Sequence, residues 1–374
     1  MNEHPAAPPI RFSGQMPELA PEAAARLGRL SALPRFSLLE TVTALEPMPN
    51  LAAATGRPNL FVKRDDCCGL AFGGNKVRQL EFYLGEARAA GADTILITGA
   101  VQSNFVRLAA AAACKAGMEC HIQLEERVDK NNPCYRSSGN VLIDRLLGAT
   151  LHSFPLEEDE EAAENRLEAI AGELRAAGRR PYVIHLGPGH PPLGALGYVL
   201  AAGELLAQIA AADLPVDGIV VASGSGNTHA GLLFGLRALG SDIPLTGICV
   251  RRPAEAQARR IAGHCRAIAE LLEVDMPVAE KDIRLDDRVF APGYGHAGDA
   301  VMRALILGAR SEALMLDPTY TGKAFAGFLQ EAGKTSGSGA LIFIHTGGTP
   351  GLFAYEDELA QAFDRFAQNE VKNV

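Results

Sequence analysis

The chain of 374 residues contains no tryptophan, has few aromatic residues (6%) and carries an excess of acidic side chains. Its formal net charge of −9 argues against a nucleic-acid-binding protein, because such proteins usually present a basic face. No stretch of the sequence approaches the roughly 20 apolar residues that span a bilayer. The segment Met1–Glu18 also lacks the apolar run of a signal peptide. These absences predict a cytoplasmic protein without nucleic-acid or membrane partners.

The sequence also lacks patterns of metal-binding or disulfide-forming residues. Its seven cysteines are odd in number and include no C-x-x-C, so neither a disulfide framework nor a zinc ribbon is expected. The nine histidines show no metal-ligand spacing, and H-E-x-x-H is absent. We expect free thiols in a reducing compartment and no metal site.

The sequence does contain a regular alternation of predicted strands and helices. The predicted strands are 59–63, 94–98, 120–124, 150–153, 182–184, 218–222, 244–250, 313–316 and 340–344. The predicted helices are 76–90, 104–116, 141–147, 159–177, 197–211, 228–239 and 254–272, after a Pro- and Ala-rich arm over residues 1–35 with one short helix. This alternation, with 48% apolar residues, predicts an α/β fold of parallel sheets flanked by helices. The length suggests two domains, and ligands in such folds bind beyond the carboxyl ends of strands.

One strand-to-helix turn contains a lysine at a helix start, Gly73-Gly74-Asn75-Lys76. The positive end of the helix dipole lowers the pKa of an amine there, which favours a nucleophile or a Schiff-base lysine. A surface lysine after a glycine turn is the equally simple alternative.

A second turn, Ser223-Gly224-Ser225-Gly226-Asn227-Thr228, follows an apolar strand and opens a helix. Bare backbone N–H groups and hydroxyls at a helix N-terminus form an anion site, here most simply for phosphate. The loop matches neither a Walker loop nor the dinucleotide-binding G-x-G-x-x-G, since His229 takes the place of the last glycine. A flexible surface turn is the alternative.

Further polar side chains follow predicted strands or lie in loops where they could contact a ligand, although each could also have a purely structural role. Ser103 and Asn104 follow one predicted strand and Thr346 another, and residues of these types often cap helices. Tyr294 and Tyr320 could stack on a flat ring or move a proton, but tyrosines more often pack in a core.

Taken in order, these segments resemble one family, the D-cysteine desulfhydrase and 1-aminocyclopropane-1-carboxylate deaminase family of fold-type-II pyridoxal-phosphate enzymes, related to tryptophan synthase β. The resemblance runs from about Phe36 to the C-terminus, and L-cysteate sulfo-lyase also looks like a member. The segments that carry it are Lys63-Arg64-Asp65-Asp66, Gly73-Gly74-Asn75-Lys76, Gln102-Ser103-Asn104, Gly139-Asn140, Ser223–Thr228, Asp317-Pro318-Thr319-Tyr320-Thr321-Gly322-Lys323 and His345-Thr346-Gly347-Gly348.

The resemblance implies a cofactor, pyridoxal 5'-phosphate, and a role for each candidate residue. Lys76 would hold the cofactor as a Schiff base, and Ser223, Gly224, Ser225, Gly226, Asn227 and Thr228 would hold its phosphate. Asn104 would bond the phenolic oxygen, Tyr294 would stack on the pyridine ring and Thr346 would bond the pyridine nitrogen. Lys76, Ser103 and Tyr320 would be catalytic, and Ser103, Phe105, Tyr294 and Tyr320 would face the substrate.

Two positions depart from the family pattern. Phe105 stands where the family commonly has His after Gln-Ser-Asn, which implies a more apolar pocket. Thr321 follows Tyr320 where the deaminase pattern has Glu, as in the desulfhydrase branch. The implied reaction is therefore α,β-elimination on a small β-substituted amino acid such as D-cysteine, with pyruvate, ammonia and sulfide as products.

Alternatives remain at this point. Within the family they are 1-aminocyclopropane-1-carboxylate deaminase, L-cysteate sulfo-lyase and a non-catalytic ligand-binding member; outside it, a nucleotide-binding oxidoreductase also fits the Gly-rich turn. We expect a large cofactor-binding domain, residues 1–78 plus 195–374, and a small domain, residues 79–194. We also expect a small amino acid as the substrate and a homodimer as the oligomeric state.

Overall fold

The computed structural model describes residues 21–155, 159–187, 189–334 and 337–366. The segment Met1–Glu18 and the first part of the predicted arm lie outside the described residues. The strands are β1 (Leu45–Pro47), β2 (Leu60–Lys63), β3 (Thr94–Ala100), β4 (Glu119–Glu125), β5 (Thr150–Phe154), β6 (Pro181–Ile184), β7 (Val216–Ser223), β8 (Leu245–Cys249), β9 (Arg284–Asp286) and β10 (Ala340–Ile344). The helices are α1 (Pro21–Arg26), α2 (Pro49–Thr55), α3 (Lys76–Ala89), α4 (Asn104–Ala116), α5 (Pro133–Ser137), α6 (Gly139–Leu146), α7 (Glu160–Ala176), α8 (Leu193–Ala211), α9 (Asn227–Ala238), α10 (Ala254–Leu272), α11 (Asp299–Glu312), α12 (Thr321–Lys334), α13 (Thr349–Leu352) and α14 (Glu356–Arg365).

These strands form two sheets, as predicted. The larger sheet has six strands in the order β1-β2-β10-β7-β8-β9, and the smaller has four in the order β5-β4-β3-β6. All neighbouring strands run parallel except the edge strand β1, which is antiparallel to β2. Helices cover these sheets, and central strands such as β3 are buried along their whole length, which is typical of parallel sheets. The exact domain boundaries stay a prediction.

Helix α8 lies at the centre of the larger core, packed against α3 and α9. It is the one helix among the described residues that is long and apolar enough to cross a membrane, contrary to the expectation that no segment comes near that limit. Because 72% of its apolar window is buried inside the protein, its apolar surface is accounted for by packing on neighbouring helices.

One predicted strand is wrong. Residues 313–316 form an extended connection after α11 and join neither sheet. Leu314 and Leu316 are buried while Met315 is exposed, so the segment alternates like a strand. However, Ala313 takes a left-handed conformation (φ 53°) that ends α11, and the buried leucines join the apolar core between helices and sheet without pairing to a strand.

Candidate active site

Residues from both sheets line one cavity, at the carboxyl ends of β3, β7 and β10. The predicted site residues that line it are Lys76, Ser103, Asn104, Phe105, Gly224, Ser225, Gly226, Thr228, Tyr294, Tyr320 and Thr346. Within each sheet the carboxyl ends of parallel strands share one edge, and residues at these edges of both sheets line the cavity.

Lys76 begins α3 and projects its amine into the cavity. Although the cavity leaves the side chain partly accessible, burial among protein atoms lowers the pKa of Lys76 to about 7. Its Nζ lies 3.3 Å from Gln79 Oε1 and 4.8 Å from the centroid of the Phe105 ring. An amine with this pKa is about half neutral near pH 7, and its neutral form can act as a nucleophile or a base.

The first turn of α3 is anchored by a fully buried ion pair network. The guanidinium of Arg78, two residues after Lys76, bonds Asp65 Oδ1 and Glu204 Oε2, each at 2.9 Å. Lys63 pairs with the same Glu204. Buried charges that are paired on several sides hold their positions closely, because breaking one pair leaves an uncompensated charge.

The Gly-rich turn after β7 lies at the start of α9, where the first-turn N–H groups have no partner within the helix. Gly226 has φ 106°, a conformation open to glycine but not to side-chain-bearing residues. Thr228 Oγ1 accepts hydrogen bonds from Asn75 Nδ2 (2.7 Å) and Gln79 Nε2 (2.8 Å). Its oxygen is thus used twice, which leaves its one proton to donate to an anion in the cavity.

Two residues of this predicted phosphate loop do not line the cavity. Ser223 Oγ lies 3.0 Å from His229 Nδ1 and accepts a hydrogen bond from Gln257 Nε2 at 2.8 Å. Asn227 is buried beneath the helix start. Neither side chain lines the cavity, and the Ser223 side chain stabilises the loop through its contacts with His229 and Gln257.

Asn104 is oriented by Asn140, a residue of one of the segments that carry the family resemblance, for which the sequence implied no role. Asn140 Nδ2 donates to Asn104 Oδ1 at 3.0 Å, so the NH2 group of Asn104 is left to donate to a ligand. Ser103 caps α4 by accepting from the backbone N–H of Phe105 at 3.2 Å. Ser103 therefore both caps α4 and lines the cavity.

The two predicted tyrosines contact each other at the cavity wall. The hydroxyls of Tyr294 and Tyr320 share a hydrogen bond, and their rings are T-shaped with centroids 5.9 Å apart. Burial, together with the neighbouring Tyr294, raises the pKa of Tyr320 well above its usual range. Tyr320 is therefore a neutral phenol that can donate a hydrogen bond or a proton.

Charged residues at the cavity wall form a set that the sequence did not reveal. Arg127 bonds Glu125 at 2.7 Å, and Arg251 pairs with Glu160 at 2.9 Å, with Arg260 3.7 Å from the same carboxylate. The partners Glu160 and Arg251 are far apart in sequence and carry no local motif, so only the fold brings them together.

Comparison with known proteins identifies the family to which this chain belongs. Residues 36–347 match the family model described as "Pyridoxal-phosphate dependent enzyme". The chain belongs to this family of pyridoxal-phosphate-dependent enzymes.

Relatives in this family include proteins named for one activity. The chain is 42% identical over 331 residues to a D-cysteine desulfhydrase of Salmonella choleraesuis (strain SC-B67), which covers 88% of this chain and 98% of that protein. A D-cysteine desulfhydrase of Salmonella paratyphi C (strain RKS4594) has the same identity and coverage.

Solved structures agree on the fold of this pyridoxal-phosphate enzyme. A crystal structure of an ACC deaminase homologue superimposes with a TM-score of 0.82 at 36% identity, covering 92% of this chain and 100% of the other. A fungal L-serine ammonia-lyase from Rhizomucor miehei, at a TM-score of 0.59 and 19% identity, shows the same fold. The predicted fold-type-II architecture and the predicted cofactor are confirmed.

The residues present fit pyridoxal phosphate. The cavity offers an amine with lowered pKa for the aldehyde, a helix start with a spare hydroxyl proton for the phosphate, and an oriented amide for the phenolic oxygen. Thr346 lies on the cavity wall at the end of β10, where its hydroxyl would serve the ring nitrogen. The individual roles of these residues stay predictions.

Proposed function

We propose that this enzyme is a carbon–sulfur lyase that performs α,β-elimination on D-cysteine or a close β-substituted alanine, releasing pyruvate, ammonia and the β-substituent, which is sulfide for D-cysteine. The observation that carries the proposal is the Lys76 amine, with a pKa of about 7, in the same cavity as the hydrogen-bonded Tyr294–Tyr320 pair. The curated relatives named D-cysteine desulfhydrase support the choice of substrate.

Each cavity residue has a part in this proposal. Lys76 would hold the cofactor covalently, and the start of α9 with Thr228 would hold its phosphate. When bound, the cofactor supplies an electron sink for the pair left at the α-carbon. Lys76, once freed as a neutral amine, takes the proton from the α-carbon of the substrate. Tyr320 and Ser103 orient the substrate through their hydroxyls.

Thr321 supports elimination of a thiolate over opening of a cyclopropane ring. Thr321 has no carboxylate to offer beside Tyr320. Its hydroxyl is fully buried and donates a hydrogen bond to Asp317 Oδ1 at 2.7 Å. The Asp317 carboxylate also accepts from the backbone N–H groups of Thr319 (3.0 Å) and Tyr320 (2.9 Å), which commits it to this turn. A thiolate needs no acid to leave, because a thiol is already fairly acidic.

A second candidate substrate has its own support. Arg127, Arg251 and Arg260 line the cavity, and their positive charges would suit an anionic β-substituent such as the sulfonate of L-cysteate. The acidic partners of these arginines offset part of that charge, which is why we place D-cysteine first.

A pyruvate-release screen tests the proposal. The panel is D- and L-cysteine, β-chloroalanine, L-cysteate, D-serine and 1-aminocyclopropane-1-carboxylate, the last followed by its own keto-acid product. We expect D-cysteine or a β-substituted alanine to give the highest kcat/KM. A higher value for the cyclopropane substrate than for every β-substituted alanine would contradict it.

We also propose that the enzyme is a cytoplasmic homodimer. All seven cysteines are free thiols, as a reducing compartment allows. Leu142 and Leu146 stand one turn apart on α6 and are 56% and 82% exposed, a surface that a second copy would cover. Light scattering coupled to gel filtration should give twice the chain mass, and the monomer mass would contradict it.

A further inference from the structure

Two histidines cluster with Glu164, a residue that lines the cavity. Glu164 lies on α7, His185 directly follows β6, and His190 precedes α8. His185 Nδ1 contacts Glu164 Oε1, and His190 Nε2 lies 3.5 Å from the same oxygen. The three ligand atoms lie within 4.8 Å of one another.

The two imidazole rings of His185 and His190 stack face to face. Their planes are 5° apart and their centroids 3.9 Å apart. One nitrogen of each ring lies near the same oxygen of Glu164. Because an imidazole lone pair lies in the plane of its ring, the two stacked rings can share one ion only when the 39% exposed His190 ring turns out of the stack. A single hydrogen bond to Glu164 requires only one of these rings, so the second ring calls for a further explanation.

A second carboxylate meets the other side of the first ring. Glu168 is one turn after Glu164 on α7, and its Oε1 lies 3.5 Å from His185 Nε2. Histidines that bind metals almost always donate the remaining ring N–H to a carboxylate, carbonyl or water, which fixes the tautomer and the ring orientation. Here Glu168 occupies that place.

We propose that Glu164, His185 and His190 form a binding site for a divalent transition-metal ion of the zinc class. Two imidazoles and one carboxylate are a ligand set that zinc accepts, with the fourth position open to water. Since Glu164 and the neighbouring Gly187 line the cavity, a bound ion would tie α7 to the loop after β6 at the cavity wall. The linear spacing of the three ligands matches no metal motif, which is why the sequence predicted none.

The test measures metal binding by the holoenzyme, without reference to turnover. Cys67, Cys114 and Cys134 are replaced by serine in every variant, because the first two are exposed and the third partly so, and thiols bind the same ions. Cobalt(II) is titrated and followed by its visible absorption, and zinc chloride is titrated by calorimetry. We expect one bound ion per chain, with the absorption bands of a four-coordinate, nitrogen- and oxygen-ligated cobalt.

Variants separate a metal site from an ordinary ion pair. His190→Ala and Glu164→Gln should lose the bound ion, while Glu168→Gln should weaken it by about 10–100-fold. His152→Ala is the matched control, since His152 lies beside His121 as another stacked histidine pair in the fold and should leave binding unchanged. His190 is 39% exposed, so its replacement should not disturb folding, which circular dichroism checks. Equal binding by the parent and His190→Ala, or no bound ion in the parent, would overturn the proposal.

Discussion

At the scale of single residues, Phe105 gives the cavity an apolar wall at a position where the sequence resemblance implied a histidine. The ring is 5% exposed, lines the cavity and stands beside the Lys76 amine. The sequence predicted that this position faces the substrate, and the structure places it where it could do so.

Phe105→His should therefore change which substrate the enzyme prefers. An imidazole adds a donor and an acceptor to an apolar wall, so we expect preference to move toward small polar β-substituents. The change should be on the order of 1–3 kcal/mol if one buried hydrogen bond is gained. The ratio of kcat/KM for D-cysteine to that for a bulkier S-substituted analogue measures it, and an unchanged ratio would show that Phe105 only packs.

A second prediction concerns the protonation of Lys76. Only its neutral amine can attack the cofactor's aldehyde, and burial lowers its pKa to about 7. The rate at which apoenzyme takes up pyridoxal phosphate should therefore rise with pH through about 7 and level off above it.

Gln79→Glu should move that profile to higher pH. Gln79 Oε1 lies 3.3 Å from the Lys76 amine, and a carboxylate at this distance would favour the charged ammonium, so the pKa of Lys76 would rise. Gln79→Met is the control without charge and should leave the midpoint near that of the parent. A Gln79→Glu midpoint at or below the parent value would contradict this account of the amine.

At the scale of elements, helices α8 and α9 approach each other closely because glycine stands at the contact. A Cβ built on Gly231 would lie 2.1 Å from the carbonyl oxygen of Ala195. This approach holds the start of α9, and with it the predicted phosphate-binding turn, close to the central core helix α8.

Gly231→Ala should consequently destabilise the protein by about 1–3 kcal/mol, since the backbone of α8 must move to admit a methyl group. Gly263 on α10 has open space around it, so Gly263→Ala is the matched control and should be neutral or more stable by up to about 1 kcal/mol. Urea denaturation of both variants provides the free energies of unfolding. Equal losses in the two variants would show that the close contact is unimportant.

The same elements show what the sequence could and could not predict. Helix α4 has its predicted bounds, because Ser103 caps its start and Gly117, with φ 70°, ends it, and both signals are local. Strands β1 and β9 were missed because each has three residues, too few to show a pattern. The false strand at 313–316 shows that alternating burial also occurs where leucines pack under helices.

At the scale of the whole molecule, the cavity is a product of two sheets whose strands come from distant parts of the chain. The motifs around Lys76, Ser225 and Thr346 were visible in the sequence because each lies in one short turn. The pairing of Glu160 with Arg251 and the meeting of Glu164 with His190 were not, because these contacts depend on how α7 packs over the cavity.

The central claim is that Lys76 holds pyridoxal phosphate in this cavity, and borohydride reduction of the holoenzyme tests it most directly. Reduction should bleach the cofactor's visible band and attach it permanently to one peptide, identified by mass spectrometry as the one containing Lys76. Lys76→Ala should bind the cofactor weakly and acquire no permanent label. Label on Lys63, which is buried against Glu204, or on Lys323, which bonds the carbonyls of Phe290 and Gly293, would contradict the account.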